Sequence, residues 1–585
     1  MGRRRISILA GAAIAAATLW GCGKEAGAEL GVSNGKYTEM LTVDVYDEYA
    51  NYQGIQSGWF AKVIKDRFCM ELNILAPNVA GSRSLYQTRL AAGNLGDLVL
   101  VNTSNGKVKE LVEFGLIMDC SDLIEGKRIM EEYGKAVAKT NERLTGEEDK
   151  IYVFPKEVSS RGATEPREGM EPTFGPYIRW DYYAKLGYPR MRNLAEFLDV
   201  LEKMQAKARE EEESEDIYAI SLFRDWDNNM MNNAKQIACM YGYDELGFVM
   251  AKADGSDYQD ILADGSMYMR SLEFLYKANQ RGLIDPDSFS QGYSFWTEKY
   301  KDGKVLYCPW PWVGQSMYNT MENRNAGRGF MFAPVEDMQI FVYGNCPEGN
   351  AEEVLAIGSG AEEPERLADF IDWLYSPEGI ELNGQANGAA GIQGLTWEIN
   401  EDGKPELTEF GKRVLPSGEM EVPEEYGGGS WQDGISALNF EAVSLGDVSP
   451  ETGQPYDYMR WETTISASDT ALDRDWRVRM NADTTMEYLE KNEMRIIAPG
   501  SGYATPREDS DITIIRSQCK DRILESSWQM VFAEDDEEFS RLKKELREAV
   551  KGLGYEEVLE VDWKNAQAQT TARMQCAAAY PAAAD

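Results

Sequence analysis

Flat aromatic rings beside short polar side chains recur along this 585-residue chain, and their chemistry is that of holding a hydroxyl-rich ring. Asp47, Tyr49, Asn51 and Tyr52 share one short loop, and Asp225 and Trp226 share another. Trp310 and Trp312 flank a proline, Trp431 ends a glycine run, Asn102 closes an apolar strand, and Arg179 is the basic loop candidate. An aromatic face covers the C–H face of a pyranose by stacking, while Asp, Asn and Arg meet its hydroxyl rim with paired hydrogen bonds. For most of the 14 Trp and 30 Tyr the plainer account is a place in the core; loop position sets these apart.

Other chemistries are excluded or unsupported. The chain has no histidine, which removes Ser-His-Asp and Cys-His catalysis and His-ligated metal sites. Gly31-Val32-Ser33-Asn34-Gly35 matches the hydrolase pattern G-x-S-x-G but has no histidine to serve it, so it reads as a chance match. Besides Cys22, Cys69, Cys120, Cys239, Cys308, Cys346, Cys519 and Cys576 show no C-x-x-C spacing, and read as buried free thiols rather than a disulfide framework or a zinc site. Asp254, Asp257, Asp260 and Asp264 lack the D-x-D-x-D-G loop and its Glu, so turn chemistry is expected there; no metal and no cofactor is called for.

The first residues set where this chemistry would operate. Arg3, Arg4 and Arg5 precede a charge-free run, Ile6 to Trp20, that is shorter than the roughly 20 residues of a permanent membrane helix. It ends in Leu19-Trp20-Gly21-Cys22, which resembles a lipobox, and that resemblance implies a signal peptide over 1–21 and diacylation of Cys22. Residues 22–37, small and polar, read as a tether, giving a lipid-anchored protein on the outer face of the cell membrane. With 60 basic against 99 acidic residues and no basic block beyond the leader, a nucleic-acid partner is disfavoured.

Several elements must position the candidates. Leu41 to Val45 alternates as a strand, Gly58 to Phe68 is helical and Leu72 to Leu75 is a second strand, an opening that predicts a parallel sheet with ligand-facing loops at strand C-termini. Leu98 to Val101 is an apolar strand ending at Asn102. Asn193 to Glu213 is an amphipathic helix with Asn193 and Glu196 spaced as a capping box. Tyr218 to Phe223 and Lys304 to Tyr307 read as strands, and Asp254-Gly255, Asp264-Gly265 and Glu401 to Lys404 as hairpin turns. The prolines around Trp310 and Trp312 predict stiff, extended backbone. Ile512 to Phe532 and Glu537 to Leu553 are helical, and Asn565 to Asp585 is expected to fray.

Ala92-Gly93-Asn94-Leu95-Gly96-Asp97-Leu98-Val99 resembles the "aaGdlPDv" stretch of family 1 extracellular solute-binding proteins, with Gly96 replacing the frequent proline. Ile151 to Pro155 resembles their "iYgiP" strand, Tyr177 to Pro189 their "yRkDwldkLGl..P" turn, and Gly282 to Pro286 their "kGlIdPd". Ala368 to Gly379 is similar to the signature "lkflDwlyspEG". The resemblance, over residues 40 to 560, implies an α/β, two-lobed, type II periplasmic-binding-protein fold, each lobe a mixed sheet flanked by helices, with the ligand cleft between them. Lobe 1 is expected to open over 38–155 and lobe 2 over 156–330, with 331–564 shared between them and 565–585 as tail. The implied role is a monomeric, non-enzymatic receptor that captures an oligosaccharide by lobe closure and delivers it to an ABC transporter permease. A receptor for peptides or another non-sugar solute, and a surface glycoside hydrolase or lyase, are the alternatives; a peptide receptor needs groups that capture charged termini, the hydrolase two carboxylates about 5 to 9 Å apart.

Overall fold

The computed structural model describes residues 35–582 apart from 78, 80, 81, 418, 419 and 468. The leader, Cys22 and the G-x-S-x-G match up to Asn34 lie outside the described residues.

The chain opens with β1 (Leu41–Asp47), β2 (Gly54–Ile55), a helix over Gly58–Phe68, and β3 (Met70–Leu75). β4 (Leu98–Asn102) and β5 (Val153–Lys156) follow. The strands that concern the site thereafter are β6 (Tyr177–Arg179), β7 (Tyr307–Cys308), β8 (Phe330–Phe332), β9 (Ile340–Tyr343) and β10 (Asn350–Ile357). The first sheet has the order β2-β3-β1-β4-β10-β5. β3 and β4 run parallel to β1, as the strand-helix-strand opening requires, and β10 returns antiparallel between β4 and β5.

β4 and β10 are apolar at consecutive positions because both faces of this sheet are covered. Leu98 and Leu100 pack with Leu355 and Ile357 in one layer, and Val99 and Val101 with Val354 and Ala356 in the other. Gly96 stands where the family pattern has proline because its φ is +157°, and a Cβ there would lie 2.8 Å from the Asp44 carbonyl. Proline, fixed near −65°, cannot adopt that turn.

Two separate cores define two lobes. The first draws on 43–158 and 354–461, and the second on 174–342 and 472–558. Lobe 2 is built on a small sheet, β7-β6-β8, in which β6 pairs antiparallel with both neighbours. Its longest early helix, Leu194–Glu211, begins where the sequence places it, with the Asn193 side chain accepting from Ala195 and Glu196 backbone N–H groups, but the expected capping box is not completed, because the Glu196 carboxylate accepts from the Arg192 N–H instead. The seven described cysteines are free, and all but Cys69 are buried. Among the described residues no helix is long and apolar enough to cross a membrane.

Several local expectations are corrected. Tyr218 to Phe223 is not a strand; it lies along Val305 and Ile284 through single bridges from Tyr218 and Ile220, too few pairings to propagate a ladder. The Lys304 to Tyr307 run contributes only Tyr307 and Cys308 to a strand. Pro311 opens a helix, Pro311–Tyr318, as a first-turn proline can, so only Trp310 is extended. Asp264-Gly265 precedes a helix capped by Ser266, not a hairpin, whereas Asp254-Gly255 does turn between Val249–Lys252 and Tyr258–Asp260. The tail does not fray at 565. It continues a helix over Tyr555–Ala579 whose Val558 packs in the lobe 2 core, while Tyr580 lies beneath Lys135 and Lys139 of lobe 1.

Candidate functional site

The chain passes between lobes at one edge of each sheet. In lobe 1, Lys156 at the end of β5 pairs with Asn350 at the start of β10, and Glu353 pairs with Asn102 at the end of β4. The loop after β1 stands at the same edge, because β1 and β4 are parallel. In lobe 2, Tyr177 at the start of β6 pairs with Cys308 at the end of β7 and Phe332 at the end of β8. The Gly175 N–H donates to the Pro309 carbonyl at 3.0 Å, so the incoming crossing segment touches the backbone that leads to Trp310 and Trp312.

On this edge of lobe 2 the structure gathers the predicted tryptophans. Trp226 and Trp312 lie with ring centroids 5.8 Å apart and planes 26° from parallel. They are 40 % and 45 % exposed, unusual for so apolar a side chain. Trp310, by contrast, is buried; it stands edge-on behind Trp226 and Trp296 and supports the pair rather than presenting a face. Asp225 accepts from the Tyr293 N–H at 2.7 Å, which anchors the helix Tyr293–Lys301 beside the platform. Sequence reasoning missed Tyr293, which stacks on Trp226 at 4.6 Å. The signal was available: Tyr293, Trp296 and Tyr300 recur at helical spacing, and Trp296 and Tyr300 are buried.

The edge of lobe 1 is polar. Asp47 is fully buried and accepts from the N–H groups of Tyr49, Ala50 and Asn439, so its carboxylate shapes the loop and faces no ligand. Tyr49 is half-buried, and Asn51 and Tyr52 are exposed. The Tyr52 hydroxyl donates to the Ile55 carbonyl. Asn102 donates through Nδ2 to Glu48 at 2.8 Å, and Glu48 also pairs with Lys107.

Two further candidates are structural. Arg179 ends β6 at the far side of the small sheet, buried, with a two-point ion pair to Asp181 at 2.9 and 2.8 Å. Its guanidinium lies 4.9 Å from the Tyr182 ring and 4.1 Å from that of Tyr318. Trp431 is fully buried in lobe 1, stacked on Trp59 at 4.7 Å, because the glycine run before it folds over the Gly58 and Trp59 backbone.

Between the two edges lies a charged floor. Glu157 pairs with Arg167, whose guanidinium stands 5.3 Å from the Tyr343 ring, and the Tyr343 hydroxyl donates to Asp244 at 3.2 Å. Lys235 pairs with Asp244 at 3.2 Å, and Lys156 with Glu353 at 3.0 Å. Burial pushes the Glu171 and Glu441 carboxyls up to about 7, and pushes Glu353 up to about 8 despite Lys156.

No protein-family model and no curated protein matches the sequence. Solved structures do match the fold. The S. pneumoniae ABC-transporter substrate-binding protein FusA in complex with kestose aligns over 91 % of this chain and 100 % of its own, at TM-score 0.59 and 14 % identity. The alginate-binding protein AlgQ2 aligns over 91 % and 98 %, at 0.57 and 14 %. An HMO-binding, ABC-transporter-associated solute-binding protein from Bifidobacterium longum infantis aligns over 91 % and 99 %, at 0.57 and 13 %. The chain therefore has the two-lobed fold of the solute-binding proteins of ABC transporters.

Proposed function

We propose that this chain is a non-catalytic, monomeric receptor that closes its lobes over an oligosaccharide and delivers it to an ABC transporter permease, held on the outer face of the cell membrane by lipid on Cys22. The observation that carries the reading is the half-exposed Trp226 and Trp312 pair on the lobe edge that faces the crossing segments. A stacked, solvent-facing indole pair is costly to leave in water and suits the apolar face of a sugar. The neighbours' ligands, kestose and alginate, belong to the same class. The peptide reading loses its basic candidate, since Arg179 is committed to Asp181. The anchor rests on the sequence around Cys22, and mass spectrometry of the membrane fraction for a diacylated Cys22 tests it.

Thermal unfolding of the soluble body against a panel of oligosaccharides tests the receptor reading. A ligand present at about a hundred times its dissociation constant adds about 2.7 kcal/mol to the folded state. A shift with one glycan class, with the glycan recovered intact, supports a receptor; cleaved product favours the hydrolase. A shift with peptides and none with sugars sinks the carbohydrate assignment.

A further inference from the structure

The helix Tyr555–Ala579 runs from lobe 2 toward lobe 1, and Asp562, Ala566, Thr570, Arg573 and Cys576 recur along it at the spacing of one face. Its first half lies on the lobe 2 hairpin: a side chain at Gly247 would meet Asp562, and one at Gly255 would meet Thr570, each at 2.2 Å. Its end lies on the other side. Cys576 is buried, and just past the helix the Tyr580 carbonyl accepts from the Ala163 N–H at 2.9 Å while the Tyr580 ring sits beneath Lys135 and Lys139 of lobe 1. Arg573 therefore stands on the stretch that crosses from one lobe to the other.

The groups that act on Arg573 come from both lobes and from the crossing segments: Asp244 from lobe 2, Tyr343 at the end of β9, and Glu352 on β10. Among the described residues Arg573 makes no hydrogen bond and no ion pair with any of them. Asp244 is held instead by Lys235 and by the Tyr343 hydroxyl, each at 3.2 Å, and Glu352 is exposed. The other cations of the charged floor are paired, Lys156 with Glu353, Arg167 with Glu157 and Lys235 with Asp244. Arg573 is the exception. Burial lowers its pKa despite the carboxyls around it, yet the residue is only part-buried and water reaches it. A guanidinium carries five N–H donors in one plane and no acceptor, so desolvating it without acceptors is costly. A hydroxyl bridges such a group to a carboxyl that it does not touch: it accepts from the N–H and donates its own proton to the carboxyl oxygen. Adjacent hydroxyls on a sugar ring present two such oxygens side by side to the guanidinium fork.

On the footing of the carbohydrate reading, we propose that Arg573 is a ligand-binding residue of the cleft, its guanidinium donating to hydroxyls of the bound oligosaccharide that donate in turn to Glu352 and Asp244. The sugar then ties the terminal helix to both lobes, and the last turns of the chain belong to the site rather than to a tail.

The test is titration calorimetry of the soluble body with glucan, mannan, galactan, fructan and alginate tetramers, followed by the same titration of variants with a tetramer that binds. Arg573→Met and Arg573→Gln should bind it about tenfold to a hundredfold more weakly. Without ligand both should melt at or above the wild-type temperature, since neither loses a hydrogen bond or ion pair within the protein. Lys564→Met, at an exposed position on the same helix, should leave affinity unchanged. Wild-type affinity in either Arg573 variant overturns the inference and leaves the receptor reading standing. A melting temperature that falls by several degrees in both marks Arg573 as a structural strut and overturns it too. An equal loss of affinity in Lys564→Met assigns the effect to the helix as a whole and overturns the role given to Arg573. If no tetramer binds the wild-type protein, the carbohydrate reading falls, and this inference with it.

Discussion

Two tryptophan stacks of similar geometry stand in the two lobes, and only one of them looks like a binding site. Trp59 and Trp431 in lobe 1 lie 4.7 Å apart at 17°, and both are fully buried. Trp226 and Trp312 in lobe 2 lie 5.8 Å apart at 26°, each with close to half its surface in water. The lobe 1 pair is closed on all sides: Trp59 Nε1 donates to the Trp431 carbonyl at 3.1 Å, and a side chain at Gly391 would meet the Trp431 ring at 3.0 Å. The lobe 2 pair is closed on one side only, by Trp310 and Tyr293. Stacking geometry therefore does not separate core from site; what surrounds the second face does.

The largest effect should fall on the buried stack. Trp431→Ala is expected to lower stability by about 3–5 kcal/mol through lost contacts and the cavity left behind, read by denaturant unfolding. Trp431→Phe should cost far less, because Trp431 Nε1 is buried without a partner and its loss breaks no hydrogen bond. Arg179→Met comes close behind, at about 3 kcal/mol or more, since it strands the Asp181 carboxylate in a buried site. Wild-type stability in that variant would show that the ion pair contributes nothing and reopen Arg179 as a ligand group. On the exposed stack the readouts should reverse. Trp312→Ala is expected to change stability by less than about 1 kcal/mol while weakening sugar binding tenfold to a hundredfold, about 1.4–2.8 kcal/mol. If Trp312→Ala unfolds the protein, or leaves affinity intact, the contrast between the stacks fails.

How much of this was legible follows from which forces act locally. The Asn193 cap, the Leu98 to Val101 strand and the glycine turn at Gly255 are settled by residues a few positions apart, and each appears where the sequence puts it. Exposure is a tertiary property. Trp310 and Trp312 are two residues apart, yet one is 3 % and the other 45 % exposed, because Pro311 starts a helix that turns them apart. Trp431 follows a glycine run that reads as an open loop, and nothing nearby in sequence announces Trp59 as its partner. The charged floor was invisible for the same reason: Glu157, Asp244, Glu352, Glu441 and Arg573 each sit in unremarkable charged surroundings until the fold brings them together. Gly96 is the opposite case, a local departure from the family pattern whose cause is a single close backbone approach.

The smallest expected effect sharpens the contrast through pH. Glu381 lies behind the buried stack: its Oε2 accepts from the Ala390 N–H at 3.2 Å, next to the Gly391 that abuts Trp431, and its Oε1 has no partner. Burial pushes this carboxyl up to about 8. In the unfolded chain a Glu titrates near about 4.3, so between about 4 and about 8 the folded protein holds a proton that the unfolded chain has released. Stability from this group is full below the unfolded value and is lost as pH rises through the folded one. Glu171 and Glu441, both raised to about 7, act in the same direction. The melting temperature should therefore fall between pH 5 and pH 9, and Glu381→Gln should flatten that fall, gaining about 1 kcal/mol or more over wild type at the alkaline end. A melting temperature that stays flat, or an equal slope in Glu381→Gln, would show that water reaches Glu381 and that the buried stack is less closed than its geometry indicates.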